Sequence, residues 1–110
     1  MIFHITEQGS WDAARAAGVY RTLSLETEGF IHFSEVGQVV TTANRFYKGR
    51  SGLMLLAVEE NRLTSELRYE DVSEHGVFPH LFGPLNLDAV VEVYSFKPQV
   101  DGTFTLPEVL

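Results

Sequence analysis

The clearest structural pattern in this chain is the short stretch Gly29-Phe30-Ile31-His32-Phe33-Ser34. Its pattern suits a β-strand, in which alternate side chains point to opposite faces. Ile31 and Phe33 therefore face a core. The other face carries Phe30, His32 and Ser34. The stretch predicts a strand that builds a core on one side and a polar site on the other.

A second segment, residues 2–6, has the same design. Phe3 and Ile5 share one face of the expected strand, and His4 and Thr6 share the other. Two strands that each place a histidine at a central position predict a shared polar cleft.

Composition and length limit the class of protein. The chain has 110 residues, 45% of them hydrophobic and 12% aromatic, which fits one globular domain over residues 1–110. Cysteine is absent, so disulfides, thiolate metal sites and a cysteine nucleophile are excluded. No apolar run approaches the roughly 18–20 residues of a membrane span, and no signal peptide is recognisable, so we expect a cytoplasmic protein.

The charge balance restricts the expected partners. The formal net charge is −7 and the isoelectric point is about 4.9. An acidic protein is repelled by nucleic-acid phosphates and anionic lipids, so neither DNA nor a membrane is an expected partner. A small anionic ligand fits better, because Arg45, Lys48 and Arg50 cluster. The sequence gives no indication of the oligomeric state.

Two helices are predicted from apolar residues that recur at helical spacing. Ser10 is expected to cap a helix over Trp11–Ala17. Ser34 is expected to cap a longer helix, with an apolar stripe over residues 36–47 and a stop at Gly49.

The remaining segments predict strands and loops. Gly52–Val58 is a continuous apolar run, typical of a buried central strand, and Leu67–Val72 and Ala89–Phe96 are further strands. Residues 20–28 and 73–88 are expected to be irregular, because they show no sustained period or are rich in Gly and Pro. This pattern favours an α+β fold with a small, mixed, mostly antiparallel β-sheet and two main helices.

Three histidines are the main candidates for chemistry. His4, His32 and His80 each stand in an aromatic-rich motif. Apolar neighbours would lower a histidine pKa by desolvation and keep the imidazole neutral, able to hydrogen-bond a ligand. The alternative is a packed histidine with one satisfied hydrogen bond. A zinc site from the three is geometrically conceivable, but no metal-ligand spacing indicates it.

Other candidates lie near these histidines. Glu70 is a candidate base or ribose-orienting residue, and Arg45 on the second helix is a candidate phosphate ligand. A surface carboxylate and a solvated helix charge are the alternative interpretations. The loop at residues 78–85 contains two prolines, which fix the backbone and position side chains. No glycine loop of the P-loop or Rossmann type is present.

The motifs together resemble a known family. They comprise Phe3-His4-Ile5-Thr6, Trp11-x-x-Ala14, Gly18-x-Tyr20, Glu28-Gly29-Phe30-Ile31-His32-Phe33-Ser34, Ala43-Asn44-Arg45-Phe46-Tyr47 and Pro79-His80-Leu81-Phe82-Gly83-Pro84-Leu85. The chain is identified by them as a member of a bacterial and plant family known only as domain of unknown function 952 (DUF952). That family is itself similar to the ADP-ribosyltransferase fold, which implies a small split sheet with an NAD-binding cleft.

The resemblance implies roles for particular residues. The motif at residues 3–6 is similar to a first-strand motif whose His contacts NAD, although Ile5 stands where that motif has glycine. Residues 31–34 are similar to a strand motif of the RNA 2′-phosphotransferase branch, and residues 69–80 fall where a third functional motif would lie. The implied catalytic residues are His32 and Glu70. The implied ligand-binding residues are His4, Thr6, Ser34, Arg45, Tyr69 and His80.

These expectations lead to three hypotheses. The first is a cleft that binds NAD or another nucleotide-like small molecule as a substrate, with ADP-ribosyl or glycosyl transfer or NAD hydrolysis if the protein is an enzyme. No resident cofactor is indicated. The second is a non-catalytic ligand-binding or interaction module. The third is a metal-dependent hydrolase that uses the histidines.

Overall fold

Eight β-strands and three α-helices make up the computed structural model, which describes all 110 residues. The strands are β1 (Ile2–Glu7), β2 (Val19–Tyr20), β3 (Ile31–His32), β4 (Leu53–Val58), β5 (Glu66–Asp71), β6 (Val77–Phe82), β7 (Leu85–Asn86) and β8 (Val90–Phe96). The helices are α1 (Gln8–Ala17), α2 (Leu23–Thr27) and α3 (Val39–Phe46). Short 3-10 helices cover Val36–Gln38, Glu60–Arg62 and Leu87–Ala89. None of the helices has the length and apolar character needed to cross a membrane.

The strands form a split antiparallel sheet. One sheet has the order β1-β4-β8, a second has the order β3-β6-β5, and β2 pairs with β7. The first two sheets touch at a single bridge, where Phe3 and Ser34 exchange two backbone hydrogen bonds of 2.8 Å. The predicted α+β class is confirmed. Every strand pair is antiparallel, so the mixed sheet expected from the sequence has no parallel pair.

Strand β4 lies at the centre of the first sheet and is buried on both faces. Leu55 and Leu56 are both fully buried, although alternate residues of a strand point to opposite sides. Leu55 belongs to an apolar cluster formed with Val39 and Ala43 of α3, and Leu56 to a second cluster that includes Ala14 of α1. The predicted central strand is therefore confirmed, since a strand covered by helices on both faces reads as a continuous apolar run.

The two segments expected to be irregular contain regular structure. Residues 19–27 form β2 and α2, and residues 77–86 form β6 and β7. Strand β2 is two residues long and pairs with β7 far along the chain, so no local period could reveal it. Pro79 lies inside β6, where its carbonyl accepts a 3.0 Å hydrogen bond from Phe33 and its ring nitrogen has no proton to leave unpaired.

Both helices begin away from the predicted caps. Helix α1 starts at Gln8, directly after β1, so Ser10 lies within it. Ser34 is not a cap, because its backbone is paired with Phe3. A 3-10 helix precedes α3 instead, and there the Gln38 side chain accepts a 2.9 Å hydrogen bond from the Glu35 backbone. Helix α3 ends at Phe46 rather than near Gly49.

Candidate functional site

A cleft of about 1170 Å³ lies where the two sheets separate. Its walls come from β1, from residues 30–34, from the outer face of α3 and from the turn after β5. Between the two sheets the backbones of Phe3 and Ser34 are paired, and both residues line the cleft. The polar residues of the two predicted strand faces, His4, Thr6, His32 and Ser34, therefore line one cleft, whereas Ile2 is buried in the core.

His4 is held by hydrogen bonds at both ring nitrogens. Its Nδ1 lies 2.6 Å from the carbonyl oxygen of His32, and its Nε2 lies 2.7 Å from the Tyr20 hydroxyl. The Tyr20 hydroxyl is also 2.8 Å from the Thr6 hydroxyl. His4 and Thr6, two predicted ligand-binding residues, therefore share a buried chain of hydrogen bonds with Tyr20.

The direction of this chain follows from the groups at its ends. A carbonyl oxygen only accepts, so Nδ1 of His4 carries a proton. In the neutral ring Nε2 then accepts the single proton of the Tyr20 hydroxyl, and the Thr6 hydroxyl donates to the Tyr20 oxygen. His4 has no free nitrogen for a ligand in this arrangement.

Burial explains why His4 is neutral. Desolvation lowers the pKa of His4 from 6.5 to about 4, and it raises the pKa of Tyr20 to about 12. The hydrogen bond to the His32 carbonyl favours the charged imidazole but is the smaller effect. Both groups are uncharged at neutral pH, and for His4 this agrees with the predicted desolvation.

His32 and His80 stand opposite each other on β3 and β6, each with a carboxylate partner. His32 Nε2 is 3.0 Å from a Glu28 oxygen, and His80 Nδ1 is 2.7 Å from a Glu70 oxygen. The two imidazole centroids are 5.4 Å apart with their planes at 78°. The predicted catalytic residues His32 and Glu70 therefore lie on either side of His80.

Phe30 fixes these two rings. Its ring is stacked on His80 with a centroid distance of 4.0 Å and an interplanar angle of 16°, and it meets His32 edge-on at 4.8 Å. Gly29, at φ +91°, turns the chain from α2 into β3 and so delivers Phe30 to this position. The strand alternation of the opening stretch already placed Phe30 on the face of His32.

Two arginines face the cleft without an ionic partner. Arg21 and Arg45 both line it, and neither makes a salt bridge within 4.0 Å. Arg50 also lines the cleft but is paired with Glu7 at 2.7 Å. Carboxylates are present as well, and Asp71 and Glu74 stand at the rim without a salt bridge.

The other predicted site residues are placed less directly. Ser34 is buried in the cleft wall, where its hydroxyl donates to Thr42 at 3.5 Å. Tyr69 does not line the cleft: it is exposed on β5 and donates its hydroxyl proton to Glu60. Tyr69 and Glu70 are neighbours on a strand and so point to opposite faces.

Tyr20 and Glu28 also line the cleft but were not predicted as site residues. Only the motif Gly18-x-Tyr20 pointed to the tyrosine, and the surrounding segment was expected to be irregular. Glu28 precedes the strand by a turn, so no strand pattern includes it.

A metal centre has no ligand set in this structure. No group of three or more His, Cys, Asp or Glu side chains is close enough to hold a metal ion. Both ring nitrogens of His4 are hydrogen-bonded within the protein, so neither is free to bind a metal ion. One ring nitrogen of His32 and one of His80 are each hydrogen-bonded to a carboxylate.

Comparison with known proteins gives one family and one solved relative. A family model described as "Protein of unknown function (DUF952)" matches residues 5–93. The crystal structure of protein CC0527 from Caulobacter crescentus is 34% identical, covering 96% of this chain and 93% of that chain, with a TM-score of 0.88. The solution NMR structure of CC0527, also at 34% identity, covers 99% of this chain and 95% of that chain with a TM-score of 0.85. No curated protein matches the chain significantly.

Proposed function

We propose that this chain, which belongs to the DUF952 family, binds NAD or another nucleotide-like small molecule in its histidine-lined cleft. The observation that carries the proposal is the placement of Arg21 and Arg45 on that cleft without ionic partners. The protein has a net charge of −7, so two unpaired guanidinium groups on one concave surface favour an anionic ligand there.

Aromatic groups of the cleft suit the rest of such a ligand. Phe46 lines the cleft, is 61% exposed and has the Arg45 guanidinium 4.9 Å from its ring centre. An exposed aromatic ring beside an arginine offers a stacking surface for a base and a donor for its phosphate. A volume of about 1170 Å³ is ample for a dinucleotide.

We also propose a relationship to the ADP-ribosyltransferase fold. Its support is the split antiparallel sheet, with His4 and His32 on the two strands that border the split. The proposed reaction is ADP-ribosyl or glycosyl transfer, or NAD hydrolysis. The two histidine–carboxylate pairs are the groups available to orient a ribose and move a proton.

A non-catalytic ligand-binding module is the second candidate function. His4 is the histidine that the resemblance assigns to NAD, yet both of its ring nitrogens are bonded within the protein. Ile5, in the position of the expected glycine, is buried in the cluster below α3. Both observations fit a cleft that retained its shape and lost the original contacts to the nicotinamide end. No metal-dependent activity is proposed, because the ligand set is missing.

Titration of the labelled protein with NAD, ADP-ribose and a 2′-phosphorylated nucleotide, followed by NMR, tests binding. We expect the resonances of His32 and His80 to shift, and Arg45→Gln to weaken binding roughly tenfold or more, as loss of a charged hydrogen bond does. Arg15→Gln, on the exposed face of α1 outside the cleft, is the matched control and should leave the affinity unchanged. If none of the ligands shifts the resonances of His32 or His80, the cleft is not a nucleotide site.

An assay for released nicotinamide separates the two candidate functions. Binding of NAD without release, and without transfer to RNA, protein or small acceptors, would favour the binding module. Release or transfer would favour the enzyme.

A further inference from the structure

The two ring nitrogens of His80 have different surroundings. Nδ1 is 2.7 Å from the Glu70 carboxylate, which only accepts, so Nδ1 carries the proton of the neutral ring. Nε2 therefore holds a lone pair. It has no hydrogen-bond partner in the protein and is not sealed from solvent, and His80 lines the cleft. The lone pair is thus exposed on a residue that lines the cleft.

The orientation of this ring is fixed from several sides. His80 is 5% exposed, Phe30 is stacked on one of its faces and His32 stands edge-on beside it. Glu70 comes from the neighbouring strand β5 and keeps 40% of its side chain exposed, so it stays solvated while it holds the imidazole. A histidine oriented by a carboxylate, with its other nitrogen free, is the arrangement that general bases use in proteins.

The other charged groups near His80 are accounted for. Arg68 stands opposite His80 on β5, but its guanidinium is bonded to Glu66 and lies over Phe82. From the β3 side, His32 faces the ring and is paired with Glu28. Glu70 is therefore the charged group that is hydrogen-bonded to His80.

Comparison with the other two cleft histidines singles out His80. His4 has no free nitrogen, since both are bonded to the protein. His32 has a carboxylate partner too, but 53% of its side chain is exposed and its orientation is less constrained. His80 alone combines a carboxylate partner, a buried ring and an unbonded nitrogen on the cleft.

We propose that His80 Nε2 is the proton acceptor of the cleft and that Glu70 is the residue that positions it. The proposal rests on the proposed function, with NAD as the donor and water or an alcohol as the acceptor. The acceptor oxygen bonds to C1′ of the nicotinamide ribose while the C1′–N bond breaks. The electron pair of the broken C1′–N bond stays with the nicotinamide nitrogen and neutralises its positive charge. The proton of the attacking water or alcohol goes to His80 Nε2. The resulting imidazolium stands against the Glu70 carboxylate.

The first test is the tautomer of His80, measured by long-range ¹H–¹⁵N correlation in the free protein at pH 8. We expect the Nδ1–H form in the wild type and in Glu70→Gln, whose amide oxygen still accepts. We expect Glu70→Ala to shift His80 toward the Nε2–H form that imidazoles favour in water. If the role of Glu70 is only structural, the tautomer of His80 will be the same in Glu70→Ala as in the wild type. An Nε2–H ring in the wild type would overturn the proposal, whatever the protein does with NAD.

The second test is the rate of nicotinamide release from NAD. His80→Asn keeps an amide N–H near the Nδ1 position and so retains the bond to Glu70, but it removes Nε2. We expect it to bind NAD and to release nicotinamide at least about 100-fold more slowly, as loss of a general base does. Glu70→Ala should release nicotinamide about tenfold more slowly than the wild type, a smaller loss than removal of the base itself. Glu70→Gln should recover part of that rate. Glu92→Gln, exposed on β8, is the matched control.

The outcomes separate the two proposals. If NAD moves the His32 and His80 resonances but His80→Asn releases nicotinamide at the wild-type rate, or the wild type releases none, His80 is not the base and the binding function stands. If NAD perturbs neither histidine, the proposed function itself fails, and the base role fails with it.

Discussion

The buried His4 is expected to make the folded protein sensitive to mild acid. Desolvation lowers the pKa of His4 to about 4 in the folded state, whereas the unfolded chain has the ordinary value near 6.5. Between these values the unfolded chain binds a proton at His4 that the folded protein does not. The free energy of unfolding therefore falls as the pH drops, and the stability of neutral His4 is fully present only above pH 6.5.

The size of the effect follows from the two pKa values. Linkage gives a loss of about 2 kcal/mol at pH 5 and about 3 kcal/mol at pH 4, relative to pH 7.5. Small domains have about 5–15 kcal/mol in total, so this loss is large. The ring centroid of the single tryptophan, Trp11, lies 6.5 Å from that of Tyr20, so its fluorescence reports on this region.

Urea unfolding at pH 7.5 and pH 5 is the measurement. His4→Gln keeps a polar side chain but does not titrate, so its free energy of unfolding should change by about 2 kcal/mol less between the two pH values than that of the wild type. His75→Gln removes an exposed imidazole and is the matched control. Equal pH dependence in the wild type and His4→Gln would show that His4 does not cause the loss of stability. So would an NMR titration in which His4 of the folded protein takes up its proton above pH 6.

Three further changes test hydrogen bonding and packing in the fold, each by urea unfolding at pH 7.5. Tyr20→Phe leaves the buried Nε2 of His4 without a donor and should cost about 1–3 kcal/mol; an unchanged value would contradict the hydrogen-bond chain. Leu56→Ala removes a fully buried side chain from the central strand and should cost about 2–5 kcal/mol, and a loss below 1 kcal/mol would argue against that burial. In Gly83→Ala the new Cβ would meet Ser65 Cβ at 2.8 Å, so a cost of about 1–3 kcal/mol is expected, and wild-type stability would show that the contact relaxes freely.

The sequence predicted the elements whose burial leaves a local period. Residues 53–58 read as a buried strand because helices cover both faces, and α3 was located through its apolar stripe. Strands β2 and β7 were not predicted, because a two-residue strand is stabilised by a partner more than 60 positions away and not by its own pattern.

For the cleft, the sequence identified the histidines that line it but not their hydrogen-bond partners or the positions of their protons. His4, His32 and His80 were all predicted as candidates, and all three line the cleft. Which of them has a free nitrogen depends on partners that no spacing reveals. Tyr20 and the carbonyl of His32 reach His4 only because β1, β2 and β3 meet in space.

The α+β class, the central apolar strand and the polar residues of two strands were all predictable from the sequence, because side-chain alternation is a local property of the backbone. The assembled fold, in contrast, sets that both ring nitrogens of His4 are hydrogen-bonded and that Nε2 of His80 is not. Hydrogen-bond partners and burial, which set the proton position on an imidazole, come from residues distant along the chain.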